Sequence, residues 1–370
     1  MSTAVEEEMA PYELAVMARV SGMGSRYLQR LWARCPDMQA LWYMEAAELT
    51  RLGLPVRLAE RLAACHTQQA DAPAELAERC QQLGVNLITW QQAAYPIILK
   101  EIFDPPLVLY TRGTLIPDAR RIAMVGSRRL SPYGQGVAAS LAEELARAGL
   151  TVVSGGARGV DTFSHQGSLK AGRTVAVLGC GIDVVYPQEN RRLFEQIIAE
   201  GGAVVSEYGP GTQPLPAFFP ARNRIISGLS EGTLVVEAAR RSGSLITAEM
   251  ALSEGRNVYA VPGSIWSDTS AGCHHLIQQG AGLVTCAADV LRDFGVEPEP
   301  MRRRKRPAMS ADERRIWQVL SFEHPLSVDE IIMSLPDGEM TNLPFLLLQM
   351  ELKGLVIENE LHAYRRAERE

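Results

Sequence analysis

Short apolar runs and longer segments with helical spacing alternate between Arg121 and about residue 293 of this chain. The runs predict seven strands, at residues 122–126, 151–154, 174–179, 203–207, 233–237, 257–261 and 282–285. Between them, segments such as 137–148 repeat apolar residues on one helix face. Strands without polar interruptions, each followed by a helix, indicate a parallel sheet covered on both faces. The pattern therefore predicts a doubly wound α/β domain, whose ligand binds beyond the carboxyl ends of the strands.

The rest of the 370-residue chain divides into further modules, as expected above the usual single-domain size. Residues 1–85 predict a helical, SAM-like domain. The α/β domain occupies 86–298, with its core at 121–293, and residues 107–110 predict an edge strand. Residues 299–309 are rich in arginine and proline and predict a solvated linker, with a non-specific polyanion contact as the second interpretation. Residues 310–370 resemble a winged helix, with a capping box at 327–330 and a hairpin at 355–358 and 361–364.

Composition limits the classes of function. The net charge of −6 argues against attraction of the whole surface to polyanions, so a nucleic-acid site must be a local patch. No run approaches the ~18 apolar residues of a membrane span, and the acidic first residues lack the apolar core of a signal peptide, so a cytoplasmic location is expected. The six cysteines are scattered without a C-x-x-C pair, which predicts neither disulfides nor a zinc site.

Glycine and polar residues collect where the predicted strands end. These segments are Gly126-Ser127-Arg128-Arg129, Gly155-Gly156-Ala157-Arg158-Gly159-Val160-Asp161, Gly179-Cys180-Gly181, Phe218-Phe219-Pro220-Ala221-Arg222-Asn223-Arg224 and Ser242-Gly243-Ser244-Leu245-Ile246-Thr247. The glycines at 155–159 let the backbone approach a ligand, and the helix that follows offers unpaired N–H groups to an anion. Hydroxyls, guanidinium groups and glycine N–H donors share one simple target, which is a string of phosphates.

The same loops do not predict catalysis. The third glycine of a dinucleotide fingerprint is replaced by Val184, and no P-loop is present. Asp161 is expected to cap the helix after the glycine loop, and His165 to be a packed or surface histidine. No catalytic Ser, His or Cys arrangement has the required spacing, and His274-His275 has no companion ligand. We therefore predict no catalytic residue, no metal and no cofactor.

Six motifs in 121–291 resemble the DNA-processing protein A family, in the same order. They are Val125-Gly126-Ser127-Arg128 with Tyr133-Gly134, the loop Gly155 to Asp161 with His165, Tyr186-Pro187 with Asn190, the segment Phe219 to Leu229, the segment Ser242 to Thr247, and Gly272-Cys273-His274-His275-Leu276-Ile277. The resemblance implies an extended Rossmann fold that binds single-stranded DNA and forms a homodimer through this domain. It further implies a non-catalytic protein that helps load a RecA-type recombinase during natural transformation. Single-strand-binding protein is a further candidate partner.

The resemblance also implies the DNA-binding residues. They are Ser127, Arg128, Gly155, Gly156, Arg158, Gly159, Arg191, Arg192, Phe219, Arg222, Asn223, Arg224, Ser244 and Thr247. Phe219 is suited to stack on a base, and an arginine at Arg158 can act as a phosphate fork. A second interpretation is open for Arg222 and Arg224, because one of them can pair with Glu207 or Glu237 and serve the core.

Two further classes of function stay open for the α/β domain. The domain could hydrolyse a nucleotide, as in the similar cytokinin-activating phosphoribohydrolases, although their Pro-Gly-Gly-x-Gly-Thr signature is absent. It could also be a scaffold with a vestigial DNA pocket.

The modules on either side of the α/β domain also have two possible roles each. The hairpin at 21–25 resembles DNA-contacting helix-hairpin-helix modules, but we favour a role of this helical module in docking. The helix at 344–353 has almost no Arg, Asn or Lys, which favours protein contact or dimer support over duplex reading.

Overall fold

A computed structural model describes residues 2–297, 307–322, 324–335, 342–359 and 362–367. They form two compact units, Met1–Pro298 and Glu299–Glu370. Most of the predicted linker, including the basic run 301–306, lies outside the described residues. Its assignment, like the proposed division into domains, stays a prediction.

The first unit begins with six helices, which agrees with the helical periodicity of its sequence. They are α1 (Ser2–Met17), α2 (Ser25–Arg34), α3 (Met38–Tyr43), α4 (Ala46–Arg51), α5 (Val56–Gln68) and α6 (Ala72–Leu83). Leu14, Leu31 and Trp42 lie in their common core. At the start of α2, the Ser25 hydroxyl donates a hydrogen bond to the Asp104 carboxylate. The hairpin at 21–25 thus faces a carboxylate of the α/β domain, which supports docking over a phosphate contact.

A mixed layer of strands and helices follows. Its elements are β1 (Asn86–Thr89), α7 (Ile97–Lys100), β2 (Val108–Gly113), β3 (Arg121–Val125), α8 (Pro132–Arg147), β4 (Thr151–Ser154), α9 (Val160–Ser168), β5 (Thr174–Leu178), α10 (Arg191–Ala199), β6 (Ala203–Ser206), α11 (Phe218–Gly228), β7 (Gly232–Val235), α12 (Gly243–Ser253), β8 (Asn257–Ala260), α13 (Ala271–Gln278), β9 (Gly282–Leu283) and α14 (Ala287–Asp293). All seven predicted strands are present, at β3 to β9.

The strands form one sheet in the order β1-β2-β6-β5-β4-β3-β7-β8-β9, and β3 to β9 are parallel. From β3 the chain proceeds to β4, β5 and β6 on one side, and then returns to place β7 on the other side of β3. The predicted doubly wound fold is confirmed. In such sheets the ligand crevice lies at this switch point, here between the carboxyl ends of β3 and β7.

The prediction of an edge strand at 107–110 was wrong in position. Strand β2 lies inside the sheet, antiparallel to both β1 and β6, and β1 forms the edge. Pro105 and Pro106 precede β2, so every residue from Val108 onward keeps an N–H for pairing on either side.

Alternate residues of the strands pack on opposite faces of the sheet, which explains their uninterrupted apolar sequences. On β3, Ile122 and Met124 pack with the buried face of α8, whereas Ala123 and Val125 pack with α11 and α12. Within the described residues, every helix is too short or too polar to cross a membrane.

The second unit contains α15 (Ala311–Val319), β10 (Leu326–Ser327), α16 (Val328–Ser334), α17 (Leu343–Leu352), β11 (Val356–Glu358) and β12 (Ala363–Arg366), with strand order β10-β12-β11. The capping box is confirmed, because Ser327 Oγ accepts from the Glu330 N–H and the Glu330 carboxylate accepts from the Ser327 N–H at 2.7 Å. Part of the predicted hairpin, residue 361, lies outside the described residues. The winged-helix assignment stays a prediction.

Candidate nucleic-acid interface

The carboxyl ends of β3, β4, β5 and β7 place four loops side by side. We call the surface formed by residues 126–129, 155–159, 179–192 and 236–242 the C-terminal edge. Its loops are joined by backbone hydrogen bonds, because the Ser127 N–H donates to the Glu237 carbonyl oxygen at 2.6 Å and the Val160 N–H donates to the Ser127 carbonyl oxygen at 3.1 Å. The loops after β3, β4 and β7 therefore form one continuous surface at the switch point.

The glycine loop after β4 needs glycine for its shape. Gly159 has φ +82°, and an added Cβ would overlap the Ser127 carbonyl oxygen. Asp161 does not cap α9 as predicted, since the N-cap is Gly159. Its buried carboxylate instead accepts the N–H groups of Gly155 and Ala157, both at 3.1 Å. These two hydrogen bonds to the buried Asp161 carboxylate therefore stabilise the shape of the glycine loop.

Other N–H groups of these loops remain available to a ligand. Those of Arg128, Arg158 and Gly159 donate to no acceptor in the described part of the chain. They lie at the amino end of α9, whose first turn has unpaired N–H groups and a positive partial charge. The loop after β3 is folded by Ser127, whose hydroxyl donates to the Arg129 carbonyl oxygen at 2.6 Å. Free amides beside a folded turn can hold a phosphate group.

Two side chains of the C-terminal edge, Arg128 and Tyr186, lie beside Phe219 of α11. Arg128 is exposed, and its Cζ lies 5.7 Å from the centre of the half-buried Phe219 ring. The Tyr186 ring lies 5.3 Å from Phe219, centre to centre, and is 43% exposed. Tyr186 was not among the predicted contact residues, although its Tyr-Pro motif was noted. The three side chains can hold one phosphate and stack on one base.

The remaining cationic side chains of the edge differ in their partners. Arg129 and Arg192 are exposed and have no ion-pair partner among the residues described. Arg191 is also exposed and donates to the Gln188 side chain at 3.1 Å. Arg158 pairs with Glu189, and both side chains are largely exposed. An exposed pair contributes little free energy, so a phosphate can replace Glu189 as the partner of Arg158.

Arg222 is buried, contrary to the expectation that it lines a binding pocket. Its side chain donates to the carbonyl oxygens of Gly155, at 2.7 Å, and of Val177. Burial lowers the pKa of the Arg222 guanidinium, and the nearby Asp161 carboxylate opposes this effect. Because α11 places this side chain beneath the glycine loop, Arg222 joins the ends of β4 and β5 and does not reach solvent.

The neighbouring positions on α11 also face inward. Arg224 pairs with Glu207 at 2.6 Å and with Asp104 at 3.1 Å. This confirms the second interpretation, in which one of the two arginines pairs with Glu207 and serves the core. The Asn223 side-chain oxygen accepts from Arg222 Nε at 3.2 Å. Residues 222–224 of α11 therefore pack beneath the C-terminal edge and support its loops. Phe219, at the start of the same helix, is the residue that lies next to Arg128.

Ser244 and Thr247 do not reach the surface either. Both are buried on the side of α12 that covers the sheet, and Ser244 Oγ lies 2.7 Å from Ser242 Oγ. The exposed side chains before this helix are Arg240 and Arg241, and no ion-pair partner for them occurs in the described ranges. Sequence reasoning missed these two arginines, although a basic pair after a strand end was a usable signal.

His165 is a packed histidine, one of the two possibilities predicted. It is fully buried, and Nδ1 lies 2.7 Å from Thr174 Oγ1. Burial lowers the pKa of His165 to about 3, with a smaller effect from the charge of Arg222. His165 therefore stays neutral in the folded protein over the range in which an exposed histidine becomes charged.

We predict that His165 makes the fold sensitive to mild acid. Because its folded pKa is about 3 and the ordinary pKa of histidine is 6.5, its contribution is present above about pH 6.5 and is lost as pH falls. Between pH 6.5 and 5 this group should lower the free energy of unfolding by about 2 kcal/mol. Urea unfolding of the wild type and His165→Gln checks this: the variant should show the shallower pH dependence, and equal slopes would contradict the assignment.

In the described residues, no three His, Cys, Asp or Glu side chains are placed to hold a metal ion, and the six cysteines are free. The carboxylates closest to the edge are already occupied. Asp161 accepts two loop amides, and Glu237 accepts the Ser131 N–H at 3.1 Å and the Ser131 hydroxyl at 2.5 Å. Apart from Glu189 and Asp183, which pair with Arg158 and Arg79, the groups that this surface offers are donors, cations and aromatic rings.

The fold and this edge define a class of protein: a Rossmann-type α/β protein whose switch point exposes N–H groups, an aromatic pair and arginines that have no ion-pair partner among the described residues. Residues 86–295 match the family model for DNA recombination-mediator protein A. The chain belongs to this family, and the family prediction made from the six motifs is confirmed.

Individual relatives support the same family assignment. The DNA processing protein DprA of Streptococcus pneumoniae is 50% identical over 202 residues, which cover 54% of this chain and 71% of the relative. The X-ray structure of DprA from that species matches with a TM-score of 0.67 and 38% identity, over 78% of this chain and 98% of the other. A structure concerning the single-stranded DNA binding mode of DNA processing protein A from Helicobacter pylori matches with a TM-score of 0.51 and 30% identity, over 56% and 95%.

Proposed function

We propose that the C-terminal edge binds single-stranded DNA. The observation that carries this proposal is the exposed Arg128 guanidinium beside the Phe219 ring, next to N–H groups of the glycine loop that have no acceptor in the described part of the chain. Arginine and amide donors suit phosphates, and an accessible ring suits an unstacked base. The Helicobacter pylori relative, whose structure concerns binding of single-stranded DNA, supports the same ligand here.

A single strand suits this surface better than a duplex. Phe219 and Tyr186 offer ring faces, and a base can stack on a ring only when it is free of its own helical neighbours. The chain as a whole has a net charge of −6, so attraction of DNA is confined to the loops that carry Arg128, Arg129 and Arg192, for which the described residues provide no ion-pair partner. Of the predicted residues, we retain Ser127, Arg128, Gly155, Gly156, Arg158, Gly159, Arg191, Arg192 and Phe219 at the interface or shaping its loops. Arg222, Asn223, Arg224, Ser244 and Thr247 are proposed to support it.

The function we propose is mediation without catalysis. An acid or base near the bound phosphates would need a carboxylate held in a fixed position. Asp161 and Glu237 are occupied by loop donors, and Glu189 is an exposed side chain in a surface ion pair with Arg158. The chain would hold DNA and pass it to a RecA-type recombinase, with single-strand-binding protein as a further partner, in the cytoplasm during natural transformation. Release of a base from nucleoside monophosphates by the purified protein would instead support a nucleotide-hydrolysing enzyme.

Dimer formation through the α/β domain belongs to the same proposal. Leu252 on α12 and Leu283 on the edge strand β9 are about half exposed, and such apolar side chains suit contact with a second copy of the chain. In the second unit, α17 exposes Phe345, Leu348 and Leu352, which supports protein contact over duplex reading. Light scattering of the full chain measures the dimer, and duplex binding at micromolar concentration by residues 308–370 would contradict the role proposed for that unit.

The proposed function is tested by the binding of labelled oligonucleotides, single-stranded and duplex, at two salt concentrations. If Arg128, Arg129 and Arg192 each neutralise one phosphate, the slope of log K against log salt should be about −2 for a single strand. We expect tighter binding of the single strand than of the duplex. Equal binding of both, or affinity that does not change with salt, would contradict the proposal.

A further inference from the structure

We propose that Trp266 is a second base-stacking position, which extends the DNA path from Phe219 across the ends of β7 and β8. This inference rests on the proposed function of the C-terminal edge. It adds a ligand position on residues that the family motifs do not include, and it predicts which oligonucleotide lengths depend on it.

Trp266 is unusually exposed for a tryptophan. Its relative accessibility is 91%, and that of the adjacent Ile265 is 79%. Both lie in the loop of residues 262–270, between β8 and α13. Tryptophan offers the largest ring face of any side chain, and leaving it in water forgoes the favourable burial of a large apolar surface. Such a residue is a candidate for contact with a ligand.

The loop that carries Trp266 is fixed to the C-terminal edge. The Thr269 carbonyl oxygen accepts from the Ala238 N–H at 2.7 Å, directly after β7. The Tyr133 hydroxyl, at the start of α8, donates to the Pro262 carbonyl oxygen at 2.9 Å. His274 Nε2 lies 3.0 Å from the Gly263 carbonyl oxygen. Both ends of the loop are therefore held by the elements that build the proposed DNA surface.

The loop that carries Trp266 lies at the same end of the parallel strands as Arg128, so it extends the proposed interface. Strands β3, β7 and β8 are neighbours and parallel, so the end of β8 lies about 10 Å from the end of β3, at ~4.8 Å per strand. Arg240 and Arg241 follow β7, between these two ends, and are exposed without a described ion-pair partner. A strand that leaves Arg128 can thus place phosphates against these arginines and a base on Trp266.

The charges around the Trp266 loop favour single-stranded DNA over a protein segment as its ligand. Residues 262–270 contain one carboxylate, Asp268, and the arginines beside the loop have no ion-pair partner in the described ranges. A cationic groove with aromatic side chains along it is the arrangement that binds single strands without sequence preference. An acidic protein segment could also meet these arginines, and the dependence of affinity on oligonucleotide length separates the two.

The experiment measures affinity against oligonucleotide length, from about 2 to about 16 thymidines, the upper end of the site sizes usual for single-strand binders. Two stacked nucleotides, at ~3.4 Å each, are too short to cover the ~10 Å between the ends of β3 and β8. The full chain is compared with Trp266→Ala, with Trp266→Phe, and with Ile265→Ala as the matched exposed control. Trp266→Ala should bind the shortest strands as the wild type does, because they fit at Phe219 and Arg128. With the longest strands it should bind about tenfold more weakly, as expected for the loss of one stacked base. Trp266→Phe should recover most of this loss, and Ile265→Ala should change little.

The outcomes separate this inference from the proposed function. If the wild type binds single strands but Trp266→Ala matches it at every length, the second position is wrong while the function stands. A loss of equal size at all lengths, or an equal loss in Ile265→Ala, would also overturn it. If the wild type itself binds no single strand, the proposed function fails. Unchanged DNA affinity together with lost binding of a recombinase would assign Trp266 to a protein contact instead.

Discussion

Arg128→Ala is expected to weaken binding of single-stranded DNA by more than tenfold at about 0.1 M salt. A hydrogen bond to a charged group contributes about 1.5–3 kcal/mol, and each 1.4 kcal/mol corresponds to a factor of ten. The Arg128 guanidinium is exposed beside Phe219 and next to glycine-loop N–H groups for which the described residues offer no acceptor, so its loss removes a phosphate donor at the centre of the interface. Fluorescence anisotropy with a labelled oligonucleotide measures the effect.

A matched control is available on the opposite edge of the sheet. Arg173 is exposed and immediately precedes β5, so it lies at the amino ends of the parallel strands. Arg173→Ala removes the same charge but should leave the affinity within about twofold of the wild type, because exposed charges more than a Debye length apart are largely screened. Arg128→Lys, which keeps the charge without the planar fork, should have intermediate affinity.

The salt dependence identifies the mechanism of the loss. Removing one phosphate contact should reduce the size of the slope of log K against log salt by about 0.7 for a single strand. Stability should change little, because exposed substitutions usually change the free energy of unfolding by less than about 0.5 kcal/mol. If folded Arg128→Ala bound DNA with the affinity and salt slope of the wild type, the placement of DNA at this edge would be wrong.

The sequence predicted the sheet well because its signal is local. Strands β3 to β8 are buried on both faces over most of their length, and their apolar runs end at glycine or polar residues in the sequence itself. Strand β1 was missed, and β2 was placed at the edge, because they pair antiparallel beside β6 and neither forms a βαβ unit with it. The local sequence pattern identifies a strand, whereas the strands that pair with it depend on the arrangement of the whole sheet.

The site was predicted only in part, for a physical reason. Arg128 and Arg222 are both arginines near strand ends, but one is exposed and the other is buried beneath Gly155. Their directions depend on where α11 packs, which the sequence does not specify at single-residue level. Trp266 could not be identified because one aromatic residue in a loop has no periodicity. Asp161 was assigned as a cap because its bonds to the loop amides depend on the shape of the loop.

Arg222→Ala should lower the free energy of unfolding by about 3–5 kcal/mol, the cost of breaking a buried charge interaction by removing one partner. The substitution leaves the carbonyl oxygens of Gly155 and Val177 without their donor and leaves Asp161 without its nearby cation. Arg224→Ala is the comparison, since Arg224 pairs with the partly exposed Glu207 and Asp104. Urea unfolding should show a smaller loss for Arg224→Ala.

The pH dependence of this loss distinguishes a charge effect from a packing effect. Burial raises the pKa of Asp161, and Arg222 opposes that rise, so Arg222→Ala should raise it further. A carboxyl whose folded pKa lies above its unfolded value favours folding when it is protonated, and this contribution is lost as pH rises through the folded pKa. The deficit of Arg222→Ala relative to the wild type should therefore shrink as pH falls. Loss of the Arg222 charge also removes part of the lowering of the His165 pKa, which changes the deficit in the same direction. A deficit that stays constant with pH would show that Arg222 acts through packing and hydrogen bonds alone. A deficit below about 1 kcal/mol would contradict its role as the buried support of the glycine loop, because buried groups left unpaired cost more than that.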